Sequence, residues 1–138
     1  RFGSIHRNTY LNSPGILNKD LSLKKKDNIF LAGQLSGVEG YVESILSGLL
    51  VSKNVMRPAG SQPSSTKLDD LLPETTISGQ LWRHLITKNK NFQPMNANFG
   101  LLPSLEDKIK DKRLRKEKLA ERAIKDLIRS KGENTPKF

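Results

Sequence analysis

The sequence contains no cysteine among its 138 residues, and only two histidines, His6 and His84. Disulfide bonds, thiolate metal ligands and a cysteine nucleophile are therefore excluded for these residues. The two histidines are too few and too far apart for a zinc cluster, so we expect no metal site. No apolar run reaches the roughly 18 residues of a membrane-spanning helix. Residues 1–10, RFGSIHRNTY, also lack the apolar segment of a signal peptide.

These absences predict a soluble, cytoplasmic protein without a membrane partner. Arg1 stands where a start methionine would be and is typical of a mid-domain position, so we expect the chain to be part of something larger. Apolar residues make up 35% of the sequence, aromatic residues 6%, and the mean hydropathy is −0.55. One small domain fits this length. With so few apolar residues, we expect either that part of the chain is extended or disordered, or that another protein segment covers some of its apolar surface.

The charge is strongly positive, because the sequence has 24 Lys and Arg residues but only 14 Asp and Glu residues, which gives a formal net charge of +10. Each phosphate that Lys or Arg neutralises releases counterions, so this charge favours a polyanionic partner. Structured RNA is the main candidate. Charge alone does not distinguish tRNA from ribosomal RNA, nor an RNA enzyme from a structural RNA-binding protein.

Composition and apolar spacing divide the sequence into six segments. Thr75 or Thr76 is expected to begin a short helix, and Ser104 with Asp107 to cap a longer one. The segments are residues 1–18, an extended segment; 19–57, a strand, turn and helix; 58–73, a flexible connector; 74–103, a short helix and an Asn-rich loop; 104–131, a basic helix; and 132–138, a disordered tail.

Residues 28–56 carry the strongest local pattern. Residues 29–32 form a continuous apolar run that is typical of a strand buried on both faces. The turn GQLSGVEG follows, and from Val38 onward the apolar residues have helical spacing. We expect Gly40 and Gly48 to permit close packing or the close approach of a ligand, because glycine otherwise weakens a helix.

This turn can hold an anionic cofactor, because the N-terminus of the following helix carries a partial positive charge. Gln34 could also exchange hydrogen bonds with a ribityl or phosphate group. The alternative is a βα unit whose glycines serve only turn geometry and packing. The spacing leaves both interpretations open.

Two polar clusters are further candidates. Arg7, Asn8 and Thr9 could bind an anionic substrate or simply order a loop. Residues 91–101, NFQPMNANFGL, are rich in amide side chains, which usually satisfy their own backbone. Their two Phe rings could instead stack on a base or a flavin ring.

The basic helix contains the run KDKRLRKEK, in which six of nine residues are Lys or Arg. Such a run favours a stripe of phosphate contacts. The alternative is a solvated helix face with ion pairs between neighbouring turns. The candidate RNA-binding residues are Lys112, Arg113, Arg115 and Lys116.

Three blocks, RFGSIHRNTYLNSP, IFLAGQLSGVEGYVESILSGLL and NFQPMNANFGLLPSL, carry a family resemblance. In this order, with PETTISGQL before the third, the sequence resembles the C-terminal third of the folate- and FAD-dependent tRNA (uracil-5-)-methyltransferases (TrmFO). Related tRNA-modifying flavoproteins of the GidA/MnmG type share only the AGQ-G-GY portion. The resemblance implies an α/β fragment, namely the C-terminal part of a glutathione-reductase-like FAD-binding domain with additional C-terminal helices. Residues 1–18 would be the end of the inserted domain.

The implied activity is the formation of 5-methyluridine in the T-loop of tRNA. FAD would be the cofactor, methylenetetrahydrofolate the carbon donor and NAD(P)H the reductant. The resemblance places residues near FAD or the substrates as follows: Gly33, Gln34, Gly37, Val38, Glu39, Gly40 and Tyr41 would bind FAD; Arg7, Asn8, Thr9, Asn96, Asn98 and Phe99 would lie near the flavin ring or the substrates.

The sequence departs from the family in two respects. It lacks the glycine-rich N-terminal unit that holds the FAD pyrophosphate, and it lacks the functional cysteines. No catalytic residue is therefore assigned in this chain, which alone should neither hold FAD tightly nor methylate uracil. We expect the missing N-terminal part, or a partner chain, to complete the enzyme. The alternative is a non-catalytic remnant, a structural RNA-binding subunit of a larger assembly such as a ribosome in an organellar matrix.

Overall fold

The computed structural model describes residues 9–56 and 72–132. These residues form a mixed α/β structure with one small sheet. Its elements, in chain order, are α1 (Ser13–Ile16), β1 (Ser22–Leu23), β2 (Lys26–Phe30), a 3₁₀ helix (Gly33–Ser36), α2 (Tyr41–Val55), α3 (Ile77–Ile86), a second 3₁₀ helix (Phe99–Leu101) and α4 (Lys112–Ser130). Most of the predicted connector and tail, and the predicted site residues Arg7 and Asn8, lie outside the described residues.

The strand that leads into the turn is exposed, which corrects the prediction of a strand buried on both faces. β1 and β2 form an antiparallel hairpin in which Ser22 faces Phe30 and Leu23 faces Lys26. β2 begins at Lys26, in the polar residues ahead of the apolar run 29–32 that predicts the strand, and Ile29 is 40% exposed. A two-stranded hairpin has no helix layers over both faces, so β2 stays largely accessible to water, although Ser22 of β1 is buried.

The core lies between α1, α2 and α3. Trp82 of α3 is its largest buried side chain, and the indole Nε1 donates a 2.8 Å hydrogen bond to the backbone oxygen of Lys19. As the apolar spacing predicts, α3 buries Leu81, Trp82 and Leu85, and Thr76 caps it by accepting from the N–H of Gly79. The buried cluster is Leu17, Leu21, Val38, Leu50, Leu72, Trp82, Leu85 and Phe92.

The basic helix α4 begins at Lys112, later than the Ser104 that we predicted. Asp111 is its N-cap, and the carboxylate accepts a 2.6 Å hydrogen bond from the N–H of Leu114. The predicted capping pair Ser104 and Asp107 is therefore wrong. Residues 104–111 are non-helical and lie along α4, where Arg122 donates to the backbone oxygen of Ser104 at 2.9 Å.

Helix α2 packs through a face with few apolar residues. Its buried residues are Glu43, Ser47 and Leu50. An apolar stripe on the other side is exposed: Tyr41, Val42, Ile45, Leu49, Val55 and Met56. We call these six residues the α2 stripe. No helix in the described part of the chain is long and apolar enough to cross a membrane.

Candidate functional site

The predicted cofactor turn and the amide-rich loop lie side by side. Val38 and Met95 form an isolated parallel bridge. The N–H of Glu39 donates to the oxygen of Met95 at 2.9 Å, and the N–H of Met95 donates to the oxygen of Gly37 at 3.1 Å. Two segments far apart in the sequence thus form one site.

The N-terminal block reaches the same place. The N–H of Leu11 donates to the backbone oxygen of Leu35 at 3.0 Å. The hydroxyl of Tyr10 donates to Oε1 of Gln93 at 3.2 Å. Thr9, the one residue of its predicted cluster that the structure describes, is exposed. All three sequence blocks therefore converge around residues 33–40.

The three glycines of the turn differ in whether neighbouring atoms leave room for a side chain. Gly33, Gly37 and Gly40 all have positive φ angles, of 66°, 95° and 115°. A Cβ at Gly37 would overlap the ring of Phe92, and one at Gly40 would overlap the carboxylate of Glu43. A Cβ at Gly33 would have no neighbour closer than 3.9 Å. Packing within the protein therefore accounts for two of the glycines, and open space remains at Gly33.

Two side chains of α2 that sequence reasoning missed hold the site together. Glu43 is 8% exposed, and its Oε1 accepts a 2.6 Å hydrogen bond from the N–H of Ala97. The hydroxyl of Ser47, also buried, accepts a 2.8 Å hydrogen bond from the N–H of Gly33. Glu43 occupies the third position of a helix that follows Gly40, where capping boxes place an acid, and that spacing was the available signal.

The seven predicted cofactor residues divide between surface and interior. Gly37 and Val38 are buried, and the Val38 side chain belongs to the core. Gly33 is half-buried. The other four are exposed, and Tyr41 is 93% exposed: Gln34, Glu39, Gly40 and Tyr41.

The start of α2 is a surface with backbone hydrogen-bond donors but no side-chain cap. Gly40 has no side chain that could cap α2, so the first N–H groups of this helix are left for another acceptor. The helix dipole adds a partial positive charge there. Glu43 opposes this effect, since its carboxylate lies beside Gly40. Among the described residues, no group of His, Asp and Glu side chains could hold a metal ion.

The remaining residues predicted near the flavin or the substrates are Asn96, Asn98 and Phe99, which lie in the amide-rich loop. The side chain of Asn98 accepts a 3.0 Å hydrogen bond from the N–H of Gly100 and donates to the oxygen of Asn96 at 3.1 Å. Both bonds stay within the loop, as expected if its amide side chains bind their own backbone. Phe99 lies further along, and Nζ of Lys116 is 5.6 Å from the centre of its ring.

The four predicted RNA-binding residues are exposed on the first turns of α4. Arg113 forms an ion pair with Glu117, with 3.1 Å between Nε and Oε1. Lys118, on the next turn, forms one with Glu121 at 2.8 Å. The hydrogen bond to Glu121 and the charge of that carboxylate raise the pKa of Lys118. Within the described part of the chain, Lys112, Arg115 and Lys116 have no carboxylate at ion-pair distance.

A groove of about 720 Å³ lies between residues 99–110 and the start of α4. Phe99 and Leu102 line it from one side, and Arg115, Lys116 and Leu119 line it from the helix. We call it the Phe99 groove. It brings together Phe99 and the basic helix, which no sequence pattern connects.

The sequence is similar to proteins of known family. Residues 1–63 match the family model described as glucose inhibited division protein A. Curated relatives named methylenetetrahydrofolate–tRNA-(uracil-5-)-methyltransferase TrmFO are 50% identical over 125 residues in Brevibacillus brevis, 47% over 128 in Halalkalibacterium halodurans and 46% over 135 in Aquifex aeolicus. These matches cover 90%, 92% and 97% of this chain, but only 28%, 28% and 29% of the relatives.

Proposed function

Because the chain belongs to the methylenetetrahydrofolate–tRNA-(uracil-5-)-methyltransferase family, we propose that it works as part of such an enzyme. The proposed reaction forms 5-methyluridine in the T-loop of tRNA, with methylenetetrahydrofolate as carbon donor. The chain spans 28% of the length of the first two of these relatives. The proposed activity therefore belongs to a larger protein of which these residues form one end of the cofactor site. A tRNA substrate would place this protein in the cytoplasm.

The convergence of the three sequence blocks around the turn supports this proposal most directly. The bridge between Val38 and Met95 and the hydrogen bond from Ala97 to Glu43 hold the turn against the amide-rich loop. A plain βα unit needs neither contact. The arrangement puts the exposed residues of the turn beside a loop with several exposed polar groups, as a site for two ligands requires.

We assign FAD to the turn, as the cofactor that carries electrons from NAD(P)H to the carbon being transferred. Residues 19–57 would be the last strand, turn and helix of a glutathione-reductase-like domain. The first N–H groups of α2 would donate to the electron-rich edge of the cofactor, and Gln34 would bind beside them. Glu43 and Ser47 would keep the turn in shape from the protein side. Val38 contributes its backbone only, since its side chain lies in the core.

The exposed α2 stripe is the proposed contact with the rest of the enzyme. Its six apolar side chains lie on one side of the helix and are 52% to 93% exposed. Exposed apolar patches of this kind mark surfaces that another protein segment covers. The relatives have more than twice as much additional sequence as this chain contains, which is enough for such a segment.

We propose that α4 contacts the tRNA. Its first turns carry Lys112, Arg115 and Lys116, whose charges no carboxylate neutralises within the described residues. The alternative function, a structural RNA-binding remnant, would use the same helix. The relatives from Brevibacillus, Halalkalibacterium and Aquifex do not favour that alternative, because all three are named as methyltransferases.

The experiment is to purify the native protein together with any co-purifying chains and to record the flavin absorbance. The sample is then incubated with unmodified tRNA, methylenetetrahydrofolate and NAD(P)H, and 5-methyluridine is measured in the digested tRNA. Bound flavin and a modified T-loop support the proposal. Tight RNA association without flavin and without 5-methyluridine would instead support the structural remnant.

A further inference from the structure

The Phe99 groove combines an aromatic ring, an apolar floor and a basic rim. Phe99 is 37% exposed at one wall. The floor contains Leu102 and Leu119, which are only 8% and 7% exposed. The basic rim consists of Lys108, Lys110, Arg115 and Lys116, against the single carboxylate of Asp107.

This combination matches the chemistry of a nucleotide. Proteins bind single-stranded nucleic acid by stacking bases on exposed aromatic rings and by tracking the backbone with basic side chains. Nζ of Lys116 lies over the Phe99 ring, 5.6 Å from its centre, so a base that stacks on this face would displace the ammonium group toward the neighbouring phosphate. The groove volume of about 720 Å³ falls within the range of roughly 300–1,000 Å³ that is typical of ligand clefts.

The surrounding charge favours a nucleotide within RNA over a free one. Basic side chains continue past the groove to Lys112 and Arg113 on the same helix. A free mononucleotide would need only one or two of these cations. A strand of RNA would use the whole series, because its phosphates repeat along the backbone.

We propose that Phe99 stacks on an unpaired base of the bound RNA, while Lys108, Lys110, Arg115 and Lys116 hold the phosphates on either side. This inference rests on the proposed function, since it takes tRNA as the polyanion. It places Phe99 at the RNA, whereas the family resemblance leaves open whether this residue lies near the flavin ring or near the substrates. The loop and helix that form the groove are joined by Arg122, which donates to the oxygens of Pro103 and Ser104.

The test measures binding of a fluorescein-labelled T-arm RNA hairpin to the purified protein by anisotropy at several salt concentrations. Phe99→Ala should weaken binding about tenfold, within the range that alanine substitution of a stacking residue gives. The salt dependence should stay unchanged, because no charge is removed. Phe99→Trp should bind about as tightly as the wild type, since it keeps a stacking ring.

Phe99→Leu is the matched control for packing. Leucine keeps most of the apolar bulk but has no ring, so stacking predicts that its affinity falls like that of Phe99→Ala. If Phe99→Leu binds like the wild type, the ring only supports the loop and the proposal is overturned. The same comparison decides the matter if Phe99→Ala fails to fold.

Phe99→Trp adds a second readout. Its new indole is exposed, unlike buried Trp82, so a stacked base should quench its fluorescence when the hairpin is added. Uridine monophosphate and FAD are titrated separately. Quenching by either at lower concentration than by RNA would overturn the assignment to RNA and point to a free nucleotide site.

The groove and the proposed enzyme function can fail separately. If 5-methyluridine forms but the Phe99 variants bind RNA as tightly as the wild type, only the proposal for the groove is refuted. Binding that depends on Phe99 in a protein without flavin or methylation would refute the enzyme function and retain the groove. Absence of RNA binding by the wild type would overturn the groove outright.

Discussion

The carboxylate of Glu43 accepts a hydrogen bond from the backbone N–H of Ala97 at 2.6 Å, across 54 positions of the sequence. Glu43 is 8% exposed, so water cannot easily replace Ala97 as its partner. A hydrogen bond to a charged group contributes about 1.5–3 kcal/mol to stability, and a buried group left without its partner is costly. One carboxylate in the first turn of α2 thus fixes the amide-rich loop against the cofactor turn.

We expect Glu43→Ala to lower the free energy of unfolding by about 1–3 kcal/mol, because the N–H of Ala97 loses its buried acceptor. Urea denaturation measures this change, and amide exchange at Ala97 locates it. Glu43→Gln is the control, since its amide oxygen can still accept the bond and should recover part of the loss. Unchanged exchange at Ala97 in Glu43→Ala would show that the hydrogen bond does not order the loop.

Two glycines on and near the turn should respond to alanine in opposite directions. Gly37 has φ 95°, and a Cβ there would overlap the Phe92 ring, so Gly37→Ala should destabilise the protein by about 1–3 kcal/mol. Gly48 lies inside α2 with no atom within 4 Å of an added Cβ. Gly48→Ala should therefore stabilise the protein by about 1 kcal/mol. Thermal unfolding of both variants is the measurement, and equal shifts would contradict the packing argument for Gly37.

Local signals predicted the elements that local interactions decide. The helix carrying Trp82 was predicted from apolar spacing and a threonine cap, and Thr76 provides that cap in the structure. The order of strand, turn and helix around Gly33 was predicted in the same way. These features depend on residues within a few positions of one another, so the sequence contains the information.

Contacts between distant segments decided the features that the sequence did not predict. The sequence allows a helix to begin at Ser104, with Asp107 in its first turn, or at Asp111. Tertiary contacts from Arg122 to Pro103 and Ser104 accompany the start at Asp111. The spacing on α2 defines an apolar stripe, but the described core takes the opposite face through Glu43 and Ser47. No described atom lies within 4 Å of a Cβ at Gly48, so packing within these residues does not explain that glycine, and the close approach of a ligand there stays a prediction.

The start of α4 can be tested by removing Asp111, its N-cap, and Asp107, the predicted capping-box partner of Ser104. Asp111→Ala should lower stability by about 1 kcal/mol, because the N–H of Leu114 loses its acceptor. Asp107→Ala removes the same charge from an exposed, non-helical residue and should change stability by less than about 0.5 kcal/mol. Circular dichroism during thermal unfolding gives both values. A larger loss of stability in Asp107→Ala would support the earlier helix start that the sequence predicted.

The basic face of α4 should account for much of the salt dependence of RNA binding. Replacing Lys112, Arg113, Arg115 and Lys116 with Gln should lower the slope of log affinity against log salt by about 0.7–0.9 for each phosphate that is no longer neutralised. The four residues are also replaced one at a time. Of these single variants, Arg113→Gln should lower the slope least, because Glu117 already pairs with Arg113.

Lys118→Gln is the matched control for these single variants, since it removes one charge from the same helix at a residue paired with Glu121. Its slope should stay close to that of the wild type, whereas the slope of Lys116→Gln should fall by about the value for one phosphate. Filter binding of tRNA across a salt series measures both. If the quadruple variant keeps the wild-type slope, α4 is a solvated helix face and the phosphates bind elsewhere on the protein.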